Sequence, residues 1–552
     1  HEMLGLDPAP KRKPLKATVT GKIDHEDFEV WKLHYQSIPR LYVTANLYVP
    51  KGLKKPAPAI LYVCGHGRVK KDGVSYGNKV HYQHHGIWFA RHGYVCLTID
   101  TLQLGEIEGI HHGTYNHDMW WWNSRGYSSA SVEAWNSIRA LDYLETLDFV
   151  DKNRFGVTGR SGGGAYSWWI SVLDERIKVS APVAGITSLK NHVYAGFQNS
   201  GRLAHGVVEG HCDSMFHVNT YRWDFDHIAA LVAPRPLMIL NTDDDRIFPL
   251  DGVTDVFNGV RRIYDLHGQR NKLGLTIVPG GHSDTQPLQV PAFNWFNRHL
   301  KGEEGPITVA AVKLFEPEQL KVFNELPADS INADIQETFT QLADDKSKPS
   351  QKTVELLRAK TFRGWPAKEN SLNAKRAFST EYEGVVFEAI DFDSQEHIRL
   401  RAYIAYRKGL EKPSRVDVEV LNEEYWNKYL KLGRPAFADV WGEELKLAKI
   451  KADAPVTDKE QQAIEKRMAG VRKGDVVFVA FMPRGFGLSA MTQDERHITH
   501  SRRRFMLLGQ TLAGMQVWDV RRCVRLVQDL GYACPVTLWG YDTTSSQVAL
   551  AA

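Results

Sequence analysis

Metal-spaced cysteines, membrane-length apolar runs and a strong excess of one charge are all missing from this chain. Its five cysteines, Cys64, Cys96, Cys212, Cys523 and Cys534, show no ligand spacing, so no zinc module is written into them. Cys64 and Cys96 lie in apolar, strand-like runs and read as small buried hydrophobes, which leaves the redox compartment open. No run of about 18 apolar residues occurs, which argues against a membrane-spanning helix. A net charge of +4 over 552 residues does not suggest a nucleic-acid partner. With 43% hydrophobic and 24% charged residues, the composition is that of a globular chain of about two to four domains. Aromatics are the abundance: 15 Trp and 21 Tyr. Most belong to cores, although aromatic platforms also line sugar and aromatic-ester sites. The chain opens on His1 rather than Met. We therefore expect an upstream segment such as a signal peptide to have been removed, and a secreted or periplasmic location.

Residues 1–25 are basic and Pro-containing and read as a lead-in. From 28 to 50 the apolar pattern (Val30, Leu33, Tyr35, then Leu41, Val43, Leu47, Val49) predicts an antiparallel pair. Apolar strands are then expected at 58–64, 94–100, 154–158, 179–184, 235–240 and 275–278. Helices are expected near 81–92, 131–146, 164–173, 252–265 and 289–300. In the helix at 131–146, Val132, Trp135, Ile138, Leu141 and Leu144 share one side. Strands that alternate with helices and are apolar throughout predict a mostly parallel, doubly wound α/β sheet over 26–302. Two excursions interrupt it, one at 101–128 and a longer one at 190–228. The stretch 303–370, Ser/Lys-rich around 344–351, reads as a linker to a further region at 371–552.

Within the first region, Gly159-Arg160-Ser161-Gly162-Gly163 fits a Gly-x-Ser-x-Gly nucleophile elbow between a strand and a helix. The tight turn forces strained backbone on the serine, so its neighbours must lack side chains. The strain lifts the Ser161 hydroxyl above the sheet, and the Gly162 N–H at the helix start is left to stabilise an oxyanion. A serine nucleophile needs a base and an acid to orient that base. The strand at 275–278 leads into Gly280-Gly281-His282, so His282 is the expected base. The strand at 235–240 leads into Asp243-Asp244-Asp245, of which Asp245, four residues before Pro249, is the expected acid. Asp243 or Asp244 would then satisfy loop N–H groups. The second oxyanion donor should come from the loop after 58–64, as the N–H of His66 or Gly67.

Other residues are weaker candidates for lining the pocket: Arg160 in the elbow, Trp120 and Trp121 as a sugar-stacking wall, His112, and His211 in the second excursion. His81, His84, His85, His111, His112 and His117 crowd a short stretch, and His81 with His85 has a zinc-compatible i, i+4 spacing. No carboxylate or cysteine pattern supports a metal there, so pocket lining or solvated loop is the expectation and no metal is assigned.

The second region echoes the first. Pro50-Lys-Gly-Leu-Lys-Lys-Pro56 recurs as Arg407-Lys-Gly-Leu-Glu-Lys-Pro413, Trp135-Asn-Ser-Ile-Arg139 as Trp518-Asp-Val-Arg-Arg522, and Val157-Thr-Gly159 as Leu538-Trp-Gly540. Order and offset are nearly kept, which predicts a second, diverged copy of the same domain. In that register Ser161 falls on Asp542, with Thr543 and Thr544 in place of the glycines, so the copy should be catalytically dead. The chain stops at Ala552, before strands that could carry an acid and a histidine. Either the protein is cut there or the second sheet is half built, with an edge covered by the first domain or another subunit.

Taken together, residues 30–302 resemble the α/β-hydrolase superfamily, most closely its acetylxylan-esterase-like and prolyl-oligopeptidase-like branches. The resemblance rests on Cys64-Gly-His-Gly67, Asp100 with Gly105-Glu106, residues 135–144 and 159–164, Ala233-Pro-Arg-Pro236, residues 245–249 and Gly281-His282. It implies a serine esterase without a cofactor, acting on a small-molecule or polysaccharide ester such as acetylated plant polysaccharide. No nucleic-acid or membrane partner is implied, and a homo-oligomer is compatible. The Arg-Gly-Gln that such acetylxylan esterases usually carry near the oxyanion region is absent. The alternatives are a prolyl-oligopeptidase-like peptidase, which usually carries an N-terminal propeller not seen here, and a non-catalytic glycan-binding or scaffold protein.

Overall fold

Two apolar runs, Ala57–Val63 and Val95–Ile99, are buried at every residue and form the centre of a nine-stranded sheet. The computed structural model describes residues 1–200, 207–215, 219–342, 348, 350–492 and 494–552. The chain divides into two units: His1–Ser347 with Thr499–Leu508, and Lys348–Ile498 with Gly509–Ala552.

In the first unit the strands of this sheet are β1 (Thr18–Asp24), β2 (Phe28–Ile38), β3 (Leu41–Pro50), β4 (Ala57–Val63), β5 (Val95–Ile99), β6 (Val150–Arg160), β7 (Ile177–Val183), β8 (Leu237–Thr242) and β9 (Leu273–Val278). They are ordered β1-β2-β3-β5-β4-β6-β7-β8-β9. The pairs β1–β2, β2–β3 and β3–β5 are antiparallel, and every pair from β5–β4 to β8–β9 is parallel. Helices α1 (Gln83–Arg91), α2 (Ser129–Leu144), α3 (Gly162–Leu173), α4 (Leu250–Leu266) and α5 (Gln286–Phe296) alternate with the parallel strands. A sheet of this kind presents its loops for chemistry at the carboxyl ends of its parallel strands.

Three expectations change. Residues 1–25 are more than a lead-in: they contribute β1, whose largely exposed side chains leave no inward pattern to read, and Leu4 and Leu6 are buried. Helix α2 is not one-sided. All its residues except Asp142 are buried, and polar groups among them find partners: Glu133 accepts the Leu102 N–H (2.8 Å) and Ser137 donates to the Glu133 carbonyl (2.9 Å). Residues 303–342 do not form a linker but pack on the first unit. Leu320, Ile335 and Phe339 join its core, and the Val322 and Phe323 N–H groups donate to Glu106 at 2.7 and 2.9 Å. Isolated apolar residues without a helical or strand period carry no signal of such packing. Of the two stretches read as an insertion and as Ser/Lys-rich, residues 201–206, 216–218, 343–347 and 349 lie outside the described residues.

The second unit holds β10 (Lys375–Tyr382), β11 (Val385–Gln395), β12 (Ile398–Arg407), β13 (Arg415–Val420), β14 (Val476–Phe481) and β15 (Val536–Gly540), in the order β10-β11-β12-β14-β13-β15. The pairs β10–β11, β11–β12 and β12–β14 are antiparallel, while β14–β13 and β13–β15 are parallel. Strand for strand, this is the order and direction of β1 to β6. Helices α6 (Glu423–Phe437) and α7 (Asp458–Lys473) stand between β13 and β14, α8 (Leu512–Asp529) precedes β15, and α9 (Thr543–Ala551) follows it. The unit differs from the expected 371–552 in two respects: it begins at Lys348, and the internal segment Thr499–Leu508 belongs with the first unit.

Candidate active site

Between β6 and α3 the chain turns on Ser161, which holds φ 62° and ψ −122°. Close packing explains why glycines surround it. A Cβ on Gly159 or on Gly163 would sit 2.1 Å from the Val63 carbonyl oxygen, and one on Gly164 would sit 2.3 Å from that of Val183. The turn is fixed on both sides, because the Ser161 N–H donates to Val183 O (2.9 Å) and Ser161 O accepts the Ala165 N–H (3.0 Å). Gly162 opens α3, where backbone N–H groups have no partner within the helix.

Ser161 Oγ lies 2.9 Å from His282 Nε2, and His282 Nδ1 lies 2.7 Å from Asp245 Oδ2. The other Asp245 oxygen accepts the N–H groups of Ile247 (2.9 Å) and Phe248 (3.0 Å), and the residue is 3% exposed. Those two donors hold the buried carboxylate against the imidazole. Asp243 plays a different part, accepting the Gly280 N–H at 2.9 Å and so bracing the loop that carries His282. Gly280, at φ 126°, lets that loop turn. Arg160 reaches over the loop and donates to the His282 carbonyl at 2.8 Å.

The loop after β4 is also pinned. Asn78 Nδ2 donates to Gly65 O (2.7 Å), fixing the peptide unit that carries the His66 N–H, and its Oδ1 accepts the Thr101 N–H (3.1 Å). A Cβ on Gly67 would lie 2.5 Å from the His81 ring. The His66 ring lies beside Gly162, where a Cβ would be 2.9 Å from His66 Cε1. Its basicity is lowered, first through partial loss of hydration and then through His282 and Arg160 nearby, although the residue keeps exposed surface.

The weaker candidates fare differently. His112 Nδ1 is 2.6 Å from Gln103 Oε1, and its ring is 5.7 Å from that of His66. Trp120 and Trp121 each have one ring face taken by a guanidinium, Arg502 at 3.8 Å and Arg125 at 4.3 Å. His211 does not face a substrate as expected. It is 2% exposed, its Nε2 pairs with Ile247 O (3.0 Å), its Nδ1 pairs with His192 (3.0 Å), and it stacks behind Phe248 at 4.7 Å.

Two supporting groups escaped the sequence reading. Lys79, with no exposed side chain, sits between Asp100 (2.8 Å) and Glu106 (2.6 Å) and anchors the excursion after β5. Arg503, from beyond the stretch read as a linker, is equally buried. It donates to the carbonyls of Val208 (2.9 Å) and His211 (2.5 Å) and lies 3.3 Å from Asp213. Asp213 in turn accepts the Thr114 N–H and hydroxyl at 2.8 and 2.6 Å, so Arg503 ties the segments next to His112 and His211 together. No local motif could have announced a partner so distant in sequence. Among the described residues, two side-chain groups have the reach to hold a metal, His66 with His111 and His112, and His84 with His85 and Asp284.

Residues 108–268 match the family model described as glucuronyl esterase, fungi. A Bacillus subtilis (strain 168) protein named "Putative hydrolase YtaP" is 25% identical over 301 residues, 53% of this chain and 96% of the relative. A 4-O-methyl-glucuronoyl methylesterase of Phanerochaete carnosa is 25% identical over 244 residues, 39% of this chain and 58% of its own length. Among solved structures, Methylesterase BT1017 is similar with a TM-score of 0.43 at 20% identity, over 60% of this chain and 69% of that one. A glucuronoyl esterase from Solibacter usitatus has a TM-score of 0.40 at 18% identity, over 52% and 88%.

Proposed function

We propose that this chain, a serine ester hydrolase of the α/β-hydrolase superfamily, cleaves carbohydrate esters with Ser161 as nucleophile, His282 as base and Asp245 as its orienting acid. The observation that carries the assignment of roles is the unbroken hydrogen-bonded series from Ser161 Oγ through both nitrogens of His282 to Asp245. As Oγ attacks the ester carbonyl, His282 Nε2 takes its proton, and Asp245 stabilises the imidazolium that forms. The Gly162 N–H and that of His66 or Gly67 hold the negative oxygen of the tetrahedral intermediate. The proton then passes to the leaving alcohol, and water, activated by the same histidine, hydrolyses the acyl-serine.

The names of the matched relatives make the methyl ester of a glucuronate the first substrate to test. Acetyl groups on a plant polysaccharide or oligosaccharide are the second. Substrates of this kind accord with a secreted or periplasmic enzyme. We further assign the second unit as a degenerate, partial copy of the first. Its strand order supports this, as does the backbone at Asp542, φ 49° and ψ −113° at the head of α9. A fluorophosphonate probe followed by peptide mapping should label Ser161 alone, and a panel of glucuronate methyl, acetyl and feruloyl esters should be hydrolysed selectively. Labelling at another residue, or turnover of peptide amides but no ester, would overturn the reading.

A further inference from the structure

Beside the reaction centre, three imidazoles from two different loops converge. One ring nitrogen each of His66, His111 and His112 lies within 4.8 Å of the others. His66 Nε2 and His111 Nε2 are 3.1 Å apart. Three nitrogens bound tetrahedrally to one zinc ion at its usual bond length stand about 3.3 Å from one another. The closest pair therefore already has the spacing a shared cation imposes, and rotation of the third ring supplies the rest.

The surroundings are those of metal ligands. Because Gln103 Oε1 accepts at 2.6 Å, His112 carries its proton on Nδ1 and keeps a lone pair on Nε2. His111 is fully buried, and among the described residues its Nδ1 has no hydrogen-bond partner. The nearest carboxylate oxygen, Oε1 of Glu133, is 3.9 Å from it. A cation drawing on His111 Nε2 would place the proton on Nδ1, towards that carboxylate. An outer acceptor of this kind, whether carboxylate or amide oxygen, is what orients metal-bound histidines and raises their donor strength. One of the three rings, His112, thus has an outer partner in place before any metal is considered, and the Glu133 carboxyl stands 3.9 Å from a second.

The other candidate group is closed. His84 Nε2 and His85 Nε2 both point at one oxygen of Asp284, at 3.4 and 3.0 Å, while Gln289 donates to the second oxygen at 3.0 Å. Both Nε2 atoms are thus taken up by Asp284, and only the Nδ1 atoms of His84 and His85 lack a hydrogen-bond partner among the described residues.

We propose that His66, His111 and His112 form a site for a divalent d-block cation, with Zn²⁺ the best match, and that its occupancy inhibits ester hydrolysis. Three neutral imidazoles and an open fourth position suit Zn²⁺, Co²⁺ or Cu²⁺ rather than Mg²⁺ or Ca²⁺, which require oxygen ligands. The inhibitory part rests on the assignment of His282 as base: a dication close to it opposes the imidazolium that must form, and it also pins the His66 ring beside Gly162. We expect inhibition of at least about tenfold at saturation.

The test uses the full chain after chelator treatment. Added Co²⁺ should give one equivalent of the visible absorption of nitrogen-ligated, low-coordinate Co²⁺, displaced by Zn²⁺. The band should vanish in His112→Gln and His111→Gln and persist in His84→Gln. Circular dichroism establishes that each variant is folded, and nitrogen splitting in the spectrum of the wild-type Cu²⁺ form counts the imidazoles without any variant. Zn²⁺ should slow ester hydrolysis reversibly, and His112→Gln should escape this relative to its own metal-free rate. Absence of the Co²⁺ band, its survival in His112→Gln, or its loss in His84→Gln overturns the site. An intact band with unchanged or increased hydrolysis overturns the inhibitory role and leaves the site standing. Failure of the nucleophile assignment would instead appear as probe labelling away from Ser161, with the Co²⁺ band unaffected.

Discussion

Ser161 and Asp542 occupy the same kind of turn. Each ends a parallel strand, heads a helix and holds a positive φ, 62° in one case and 49° in the other. In the first unit the following glycines are forced, since a Cβ at Gly163 would strike the Val63 carbonyl at 2.1 Å. In the second unit Thr544 lies two residues after the turn, as Gly163 does, and its hydroxyl donates to the Val420 carbonyl at 2.7 Å. A strand-end carbonyl is thus met by bare backbone in one unit and by a hydrogen bond in the other. The helices before the turns also correspond: Trp135 Nε1 donates to Ser37 O at 3.1 Å, and Trp518 Nε1 donates to Ser394 O at 3.0 Å. Strained turn geometry therefore belongs to the strand–turn–helix packing and can persist without a nucleophile. The proposed chemistry needs, in addition, the loops after β8 and β9, which have no counterpart among the described residues of the second unit.

The largest test of that contrast is an exchange of side chains. Ser161→Ala should lower ester turnover by about 10⁴-fold or more with the fold intact. Asp542→Ala should leave turnover unchanged, and Asp542→Ser should not restore it in the Ser161→Ala background. Comparable losses in both single variants would break the comparison. Next come the buried ion pairs. Arg503→Met strands Asp213 and should cost about 3–5 kcal/mol, together with a loss of turnover as the loops beside His112 and His211 come apart. Arg484→Met strands Asp519, which Arg484 holds at 2.6 and 2.8 Å. It should cost a similar amount in the second unit's unfolding while the rate per folded active site stays unchanged.

A smaller effect separates the two turns directly. Gly163→Ala should destabilise by about 2–3 kcal/mol through overpacking. Thr544→Ala should cost about 1–2 kcal/mol by leaving the Val420 carbonyl short of a partner. Denaturant unfolding resolves the pair, and equal costs would remove the distinction between forced glycine and satisfied threonine.

The smallest effect concerns pH. Among the described residues, the histidines that burial makes less basic, His84 at about 4 among them, lie in the first unit. A base whose folded pKa is depressed takes up its proton first in the unfolded chain, so its stabilising contribution is lost as pH falls below the unfolded value. For His84 that loss amounts to about 1.4 kcal/mol at pH 5.5. Calorimetry between pH 7 and 5 should show the first unit's transition falling faster than the second's, and His84→Gln should reduce the difference. Parallel shifts of both transitions would count against this account.

The turn at Ser161, and the proposed acid after β8 and base after β9 that lie in hydrogen-bond series with it, could be singled out in the sequence because each follows an apolar strand, where a doubly wound sheet must present its loops. Even the choice of Asp245 among three adjacent aspartates followed from its distance to Pro249. Other features were hidden for identifiable reasons. Residues 303–342 lack the periodicity that marks an element, yet they satisfy Glu106 and fill the first core. His66 and His111 meet from separate loops, 45 residues apart, and Arg503 belongs to a segment with no pattern linking it to Asp213. What the amino-acid order determined by itself was local: where strands end, where the backbone must be glycine, and which side chains stand on the loops between. What only the tertiary structure decided was partnership. Burial leaves polar groups such as Lys79, Asp213 and His111 nowhere to find hydration, and the group that answers each of them is set by distance in space rather than along the chain.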